Sequence, residues 1–490
     1  MGQTARTIVN GIGINTGANL IKTLVQFAIV IPVLARFLSP DEFGLAGMAV
    51  AFIMFFSQFS DFGISTAVVR HPSPSRALWS SAFWTNIGLG VCLSGLAFVC
   101  APVIAAFFER PALTAIIKVL SLIILLHCSF LIPMAWLQRA LKFKTIAIID
   151  VASVLVSALV AIGAALLGLG VWALVLQQLA LYAVKVLATF LCHRAEIAFV
   201  YRFSEIKAVL AFSLRLTGAE LIGFVHRNLD NVLIGKFLGA AALGFYGRAY
   251  TVMLVPVHSL GTSAGFALYP VMAQTLNQPQ RLSALYLKAL SMLTGLVAPM
   301  MVGLALLADP FVSIWLGADW QPVAPLITLL VFVGLMQTLQ NVAFTVWKAL
   351  GRADVLLRWS VAQTLLFSSA FAFGVWTGDI QALAGAYLLA NAVIFVPFQW
   401  LTCRRLGGDL RALWGEVAPG VICSAVMGGL LLIAAACLPE TAADWSRLAC
   451  LIPLGIGIYF LSWRLLFKRR LHALGEDLRL LRRPEDLKTI

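Results

Sequence analysis

Fourteen apolar stretches, each about 20 residues long, run through this chain of 490 residues. They centre near Lys22, Met54, Cys92, Leu125, Val156, Leu181, Leu221, Val255, Val297, Phe332, Phe367, Leu389, Val426 and Leu454. An α-helix rises 1.5 Å per residue, so each stretch is long enough to cross about 30 Å of hydrocarbon. The connections between them are short, and the longest, from about Arg194 to Lys207, is far too small for a folded module. Composition closes off a soluble alternative. Residues are 61% hydrophobic and 11% charged, with a mean hydropathy of +0.95, whereas soluble domains carry about 25% charged residues. The sequence therefore predicts an all-α polytopic membrane protein of about fourteen transmembrane helices. The N-terminal stretch, with Asn15, Lys22 and Gln26, is too long and too polar for a cleaved signal peptide and reads as a retained helix. The eight cysteines stand singly and form no CxxC pair. Neither a disulfide framework nor a metal centre is indicated, and no cofactor is expected.

Charge placement supplies the topology. With the N-terminus inside, 24 of the 35 Lys and Arg residues fall in one set of loops and in the C-terminal tail. Only Arg36, Arg110, Lys236 and Arg447 fall in the opposite set. A miscounted helix would invert every later loop and erase this asymmetry, so both termini are expected in the cytoplasm. The net charge of +14 then reads as an anchor to anionic membrane lipid and not as a nucleic-acid surface. From Leu471 onward, leucines at helical spacing among charges predict an interfacial helix.

An internal repeat organises the spans. Arg36-Phe37-Leu38 with Gly44 and Gly47 recurs 200 residues later as Lys236-Phe237-Leu238 with Gly244 and Gly247. A second echo, offset by 209, pairs Arg139-Ala140-Leu141 with Lys348-Ala349-Leu350. Both join segments of the same predicted direction, as in parallel repeats of transporters that expose a site alternately to either side. The sequence thus predicts a six-helix lobe over residues 1–195 and a second over 196–404. Two additional helices over 405–470 and a basic amphipathic tail over 471–490 follow.

Ionisable groups inside spans cost roughly 2.5–3.5 kcal/mol each, even on the lenient insertion scale. Lys118, Lys185 and Lys288 lie near span ends and are expected to snorkel. Asp150 reads as interfacial, Asp61 as a helix cap, and Arg36 and Lys236 as outer anchors. His127 and Asn86 each read as making one interhelical hydrogen bond. Lys22 and Glu220 lie mid-span in repeat-equivalent segments. Asn15, Asn19, Lys22 and Gln26 share one helical face. Ser213, Thr217, Glu220, Arg227 and Asn231 repeat that pattern, with Arg215, Asp230 and Arg248 nearby. Such faces meet each other or water, never lipid. Two readings stand: a water-filled cavity biased toward an anionic ligand, or a structural salt bridge.

The stretch Leu229–Tyr250 (LDNVLIGKFLGAAALGFYGRAY) resembles the signature of bacterial polysaccharide transporters. These are the Wzx-type repeat-unit flippases of the multidrug/oligosaccharidyl-lipid/polysaccharide flippase superfamily. Phe37–Ala49, Ser60–Arg70, Ala267–Gln274 and Ile314–Leu326 agree with it, and the similarity spans roughly residues 10–470. The resemblance implies two six-helix lobes around a cationic cavity. It also implies movement of an undecaprenyl-diphosphate-linked oligosaccharide from the cytoplasmic to the periplasmic leaflet of the bacterial inner membrane. On that view Asn15, Asn19, Lys22, Gln26, Arg215, Arg227 and Arg248 are candidates to meet the substrate. Glu220, Asp230 and Asp61 are candidates for a coupling cation, proton or sodium, and the polysaccharide polymerase machinery is a candidate partner. A lipid II flippase of the same fold and a drug or cation exporter remain alternatives within that superfamily. A membrane glycosyltransferase or polymerase is the alternative of a different class. It would need catalytic groups on a sizeable outer loop, and the outer loops here have about a dozen residues or fewer.

Overall fold

A computed structural model describes residues 13–14, 17–71, 73–192, 197–206, 228–439 and 443–468. Among these residues there is no strand, and thirteen helices are long and apolar enough to cross a membrane. They are α1 (Gly17–Ala35), α2 (Pro40–Ser57), α3 (Arg76–Phe107), α4 (Ala112–Arg139), α5 (Phe143–Leu166) and α6 (Trp172–Cys192). Next come α7 (Ala240–Gly261), α8 (Pro279–Leu306), α9 (Val323–Ala349) and α10 (Ala353–Thr377). The last three are α11 (Ile380–Arg405), α12 (Leu410–Cys437) and α13 (Asp444–Leu466). Thirteen of the fourteen anticipated centres fall in these helices. The remaining one, near Leu221, and the tail from Leu471 lie outside the described residues.

Local chemistry sets the helix ends. Ser39 opens α2 with a capping box: its hydroxyl accepts from Glu42 N, the Glu42 carboxylate accepts from Ser39 N at 2.8 Å, and Pro40 follows. Two otherwise orphaned backbone donors are thereby satisfied. Asp379 and Asp409 cap α11 and α12 through their side-chain carboxylates alone, accepting from backbone N–H groups of the first turn. Helix α4 breaks at Ser121 into two pieces, Ala112–Leu120 and Leu122–Arg139. Its α3 neighbour answers there, with the Ser94 hydroxyl donating to Ser121 O at 2.9 Å.

The chain forms two compact units, Met1–Gly247 and Arg248–Ile490. In the first, Trp79, Ala82 and Phe83 of α3 pack with Ile132 and Ala135 of α4 and with Ile206. The backbone of 197–206 is fastened to α3 by side chains. Ala198 N donates to Ser80 Oγ at 2.9 Å, Arg202 N donates to Ser81 Oγ at 2.8 Å, and Trp84 Nε1 donates to Ala198 O at 3.0 Å. In the second unit, α8, α9 and α11 build a core around Tyr286, Leu290, Val342, Val346 and Phe398. A smaller core joins α12 to α13 through Cys423, Met427, Leu451 and Trp463. Outward faces are as apolar as the cores: Val99 and Val103 on α3 and Leu159 on α5 are each at least 70% exposed. In a membrane that exposure is solvation by lipid.

Candidate functional site

Three charged side chains from three helices of the first unit meet inside the spans. Lys22 Nζ on α1 lies 3.0 Å from Asp150 Oδ2 on α5, and Lys185 Nζ on α6 lies 3.1 Å from Asp150 Oδ1. Each lysine thus holds one carboxylate oxygen. A second polar rung follows along the same helices, where Gln177 Nε2 on α6 donates to Gln26 Oε1 on α1 at 3.3 Å. Gln26 lies four residues beyond Lys22 and Gln177 eight before Lys185, so both rungs use one face of each helix. Asp150 is seven residues from the start of α5 and Lys185 seven from the end of α6, about 10 Å from those helix ends by helical rise. Lys185 also makes a cation–π contact, with its Nζ 5.6 Å from the centre of the Phe130 ring.

Two lysines and one carboxylate leave a net charge of +1. The three side chains remain 22–25% exposed, so the cluster is open on one side. An open cationic cluster inside a membrane span has to face water or a polar ligand.

Asp150 and Lys185, which the sequence suggested as interfacial and snorkelling groups, are paired with each other, and Asp150 also with Lys22. A signal was present in the chain. The two residues sit at equal distances from same-side ends of consecutive antiparallel helices, and a buried carboxylate needs a cation. Lys22 has its partner in Asp150; Glu220 lies outside the described residues, as do Asn15, Arg215 and Arg227. Asn19 is described and exposed. Arg248 belongs to the second unit, in α7.

Asp61 is a helix cap, as its Ser-Asp-Phe-Gly setting suggested. Its Oδ1 accepts from Ser65 N at 3.0 Å and from Asn86 Nδ2 at 3.1 Å, and the Ser65 hydroxyl donates to its other oxygen. Phe62 and Gly63 both take positive φ, 44° and 73°, to make the break that Asp61 caps. His127 Nδ1 on α4 lies 2.9 Å from Ser60 Oγ, a hydrogen bond to the turn that follows α2 and not to another helix as the sequence suggested. Asp230 is buried and accepts from Asn231 N at 2.8 Å and from the Tyr246 hydroxyl at 3.1 Å.

The second unit carries a different feature, a cavity of about 900 Å³ between α8, α12 and α13. Leu296 and Met300 of α8, Met427 and Leu431 of α12, and Ile456 and Phe460 of α13 line it. Small residues let these helices approach. A Cβ on Gly420 would stand 3.1 Å from Gly295 N, and the Tyr459 hydroxyl donates to Gly295 O at 2.5 Å. The chain's alternation of small and bulky side chains thus opens an apolar hollow beside a tight crossing.

The sequence profile of the family described as "Polysaccharide biosynthesis protein" matches residues 33–325, which contain Asp150 and Lys185 and begin after Lys22. The chain belongs to this polysaccharide biosynthesis family. Among its relatives is the succinoglycan biosynthesis transport protein ExoT of Rhizobium meliloti strain 1021. It is 26% identical over 376 residues, covering 77% of this chain and 76% of the relative. The teichuronic acid biosynthesis protein TuaB of Bacillus subtilis strain 168 is 28% identical over 371 residues, covering 75% and 77%. The fold of this family member is similar to that of the lipid II flippase MurJ in an inward closed conformation. The TM-score is 0.76 at 14% identity, over 94% of this chain and all of that one. This member of the polysaccharide biosynthesis family is a multi-pass membrane protein whose fold is similar to that of a flippase.

Proposed function

We propose that this transporter moves an undecaprenyl-diphosphate-linked oligosaccharide from the cytoplasmic to the periplasmic leaflet of the bacterial inner membrane. Both termini are cytoplasmic in this reading, which rests on the basic excess of one loop set. The observation that carries the substrate class is the sharing of one carboxylate by Lys22 and Lys185, which leaves an open cationic seat within the spans. The sugars and the diphosphate cannot cross about 30 Å of hydrocarbon unaided, whereas the polyprenyl tail is already at home there. A phosphate oxygen would replace Asp150 on one or both lysines, and charge-assisted hydrogen bonds about 2.7–2.9 Å long would hold it. The apolar hollow of α8, α12 and α13 supports the same reading, because a branched polyprenyl chain matches its lining of Leu, Ile, Met and Phe. A coupling cation would sit at Asp61 or Asp230, two carboxylates that the described contacts fasten through neutral donors.

Complementation tests the assignment. In cells lacking their own repeat-unit transporter, the wild-type chain is expected to restore polymer export. Lys22→Ala and Lys185→Ala are expected to fail while accumulating in the membrane at wild-type levels. Export at wild-type rates by both variants would remove the seat from the mechanism.

A further inference from the structure

The geometry points to a reciprocal backbone clasp, Gly44 against Ala240 and Gly244 against Pro40, that shuts the transporter at the end carrying Arg36 and Lys236. The two glycines belong to the repeat motifs, and their contacts obey the repeat. A Cβ built on Gly44 would overlap the Ala240 carbonyl and lie 2.8 Å from Ala240 Cα. One built on Gly244 would overlap the Pro40 carbonyl and lie 3.3 Å from Pro40 Cα. Adding 200 to 44 and 40 gives 244 and 240, so each repeat presents its glycine to the other's first helical residue. Pro40 begins α2 and Ala240 begins α7, which makes the contact a crossing of two equivalent helix starts about a local twofold relation. No side chain fits between backbones this close, and the approach brings each glycine Cα–H against a carbonyl. Both glycines are buried.

The second glycine of each motif behaves differently. Gly247 has no atom within 4 Å of a would-be Cβ, and Gly47 meets only the flexible Leu243 side chain, at 3.5 Å. Steric demand therefore falls on one glycine of each pair.

An ion pair spans the same junction. Lys236 Nζ, in the second repeat, lies 2.7 Å from Glu109 Oε1 in the α3–α4 connection of the first, with the Phe107 ring 5.4 Å from the ammonium. Nearby, Gly235 accepts the Phe108 ring and the Met48 side chain, each 3.1 Å from its would-be Cβ. Glu109 occupies a left-handed backbone position, φ 57°, just past the end of α3, where glycine ordinarily ends a helix. Its carboxylate is what glycine would lack. Strain retained at such a position marks a side chain with a task, and the task on display is the hold on Lys236.

A transporter that exposes its site alternately must part the two repeats at one end while closing the other. With helix starts interlocked by backbone contact, parting this end means separating Gly44 from Ala240 and Gly244 from Pro40 together, and releasing Lys236 from Glu109. The clasp is thus the closed position of one gate. A methyl group on either glycine wedges it, biasing the population toward the state open at that end. In a helix, alanine is otherwise the better residue, so any loss of closure on Gly→Ala is a property of the crossing.

The inference rests on alternating access and not on the identity of the cargo, and its test reads closure directly. Glu109→Cys and Lys236→Cys are placed together in a variant freed of the eight native cysteines that still exports polymer. Cells are treated with a short, reducible bis-methanethiosulfonate linker. The expected result is efficient cross-linking that falls about tenfold when Gly44→Ala or Gly244→Ala is added, and stays level with Gly247→Ala. Unchanged yield with both Gly44→Ala and Gly244→Ala in the membrane at normal abundance would overturn the clasp. Should either glycine variant fail to accumulate, the linked parent protein decides. Locked shut it is expected to export nothing until reductant cleaves the linker, and continued export while fully linked would refute the gate.

Discussion

Lys22, Asp150 and Lys185 bring three formal charges into the spans of the first unit. The second carries Arg248 and Lys288 in its spans α7 and α8, but fastens several of its helices to one another through neutral pairs. The Tyr286 hydroxyl donates to Gln399, Gln337 Nε2 donates to the Tyr387 hydroxyl at 3.0 Å, and Trp347 Nε1 donates to Thr402 Oγ1 at 2.9 Å. Neutral hydrogen bonds of that kind fasten helices for about 1 kcal/mol each and ask for no ligand. Charges inside spans cost roughly 2.5–3.5 kcal/mol apiece, so a triad kept partly open is an expense that packing alone does not explain. The difference teaches where a substitution should hurt. In the first unit it should strike transport ahead of stability; in the second, stability ahead of transport.

The largest effects come from unbalancing the triad. Asp150→Asn leaves two lysines facing each other and should destabilise the protein by about 3 kcal/mol. Thermal unfolding in detergent would register this. Lys22→Ala or Lys185→Ala leaves a neutral ion pair and should cost about 1 kcal/mol or less, yet abolish export. The comparison sharpens in the triple variant Lys22→Leu, Asp150→Leu, Lys185→Leu, which gives the first unit the chemistry of the second. It should fold at least as well as wild type, because apolar replacement of a buried ion cluster is often neutral or stabilising. It should export nothing. Export by the triple variant would make the triad architectural and break the contrast between the units.

A medium effect is expected in the apolar hollow of the second unit. Ile456 lines it while 55% exposed, so Ile456→Trp fills space with little disturbance of the core. If a polyprenyl tail lodges there, losing roughly 1 kcal/mol of contact corresponds to about fivefold slower export. Equal rates for Ile456→Trp and wild type would leave the hollow without a role in transport. Tyr459→Phe, which removes the hydroxyl and with it the hydrogen bond to Gly295 O, should lower stability by about 1 kcal/mol and leave export unchanged.

Spans were legible in the chain because hydrophobic length is a one-dimensional signal, and thirteen of the expected centres sit in observed helices. The Asp61 cap was equally local, since Ser-Asp-Phe-Gly announces a break and its cap within four residues. Asp150 and Lys185 were not legible in that way. Lys22 and Asp150 are 128 residues apart, and each residue alone has a bland account near a helix end. Only the crossing of α1, α5 and α6 converts three separate charges into one cluster. The glycine repeat lay between these cases. Its spacing of 200 residues was visible, but the reciprocity of Gly44 and Gly244 required backbones placed against each other.

The smallest effect expected is that of pH on the junction between Glu109 and Lys236. The hydrogen bond from Lys236 holds the Glu109 carboxyl below its ordinary value of 4.5, with the ammonium's charge acting in the same direction and desolvation opposing. For a depressed carboxyl the sign is fixed. Its stabilisation is fully present above the unfolded value and disappears as pH falls through the lower folded one. The ion pair should therefore be intact throughout the neutral range and weaken only in acid below about pH 4.5. Unlike the triad, this pair stands at the surface, with Glu109 81% exposed, so water and salt screen it. Thermal unfolding of Glu109→Gln should match wild type closely at neutral pH and in moderate salt. In low salt, a small deficit should appear above about pH 5 and vanish on acidification as the wild-type carboxyl takes up its proton. A deficit that persisted undiminished in acid would show that Glu109 matters through its strained backbone and not through its charge. Glu109→Gly, which keeps the left-handed turn without strain, would then unfold at a higher temperature than Glu109→Gln at every pH.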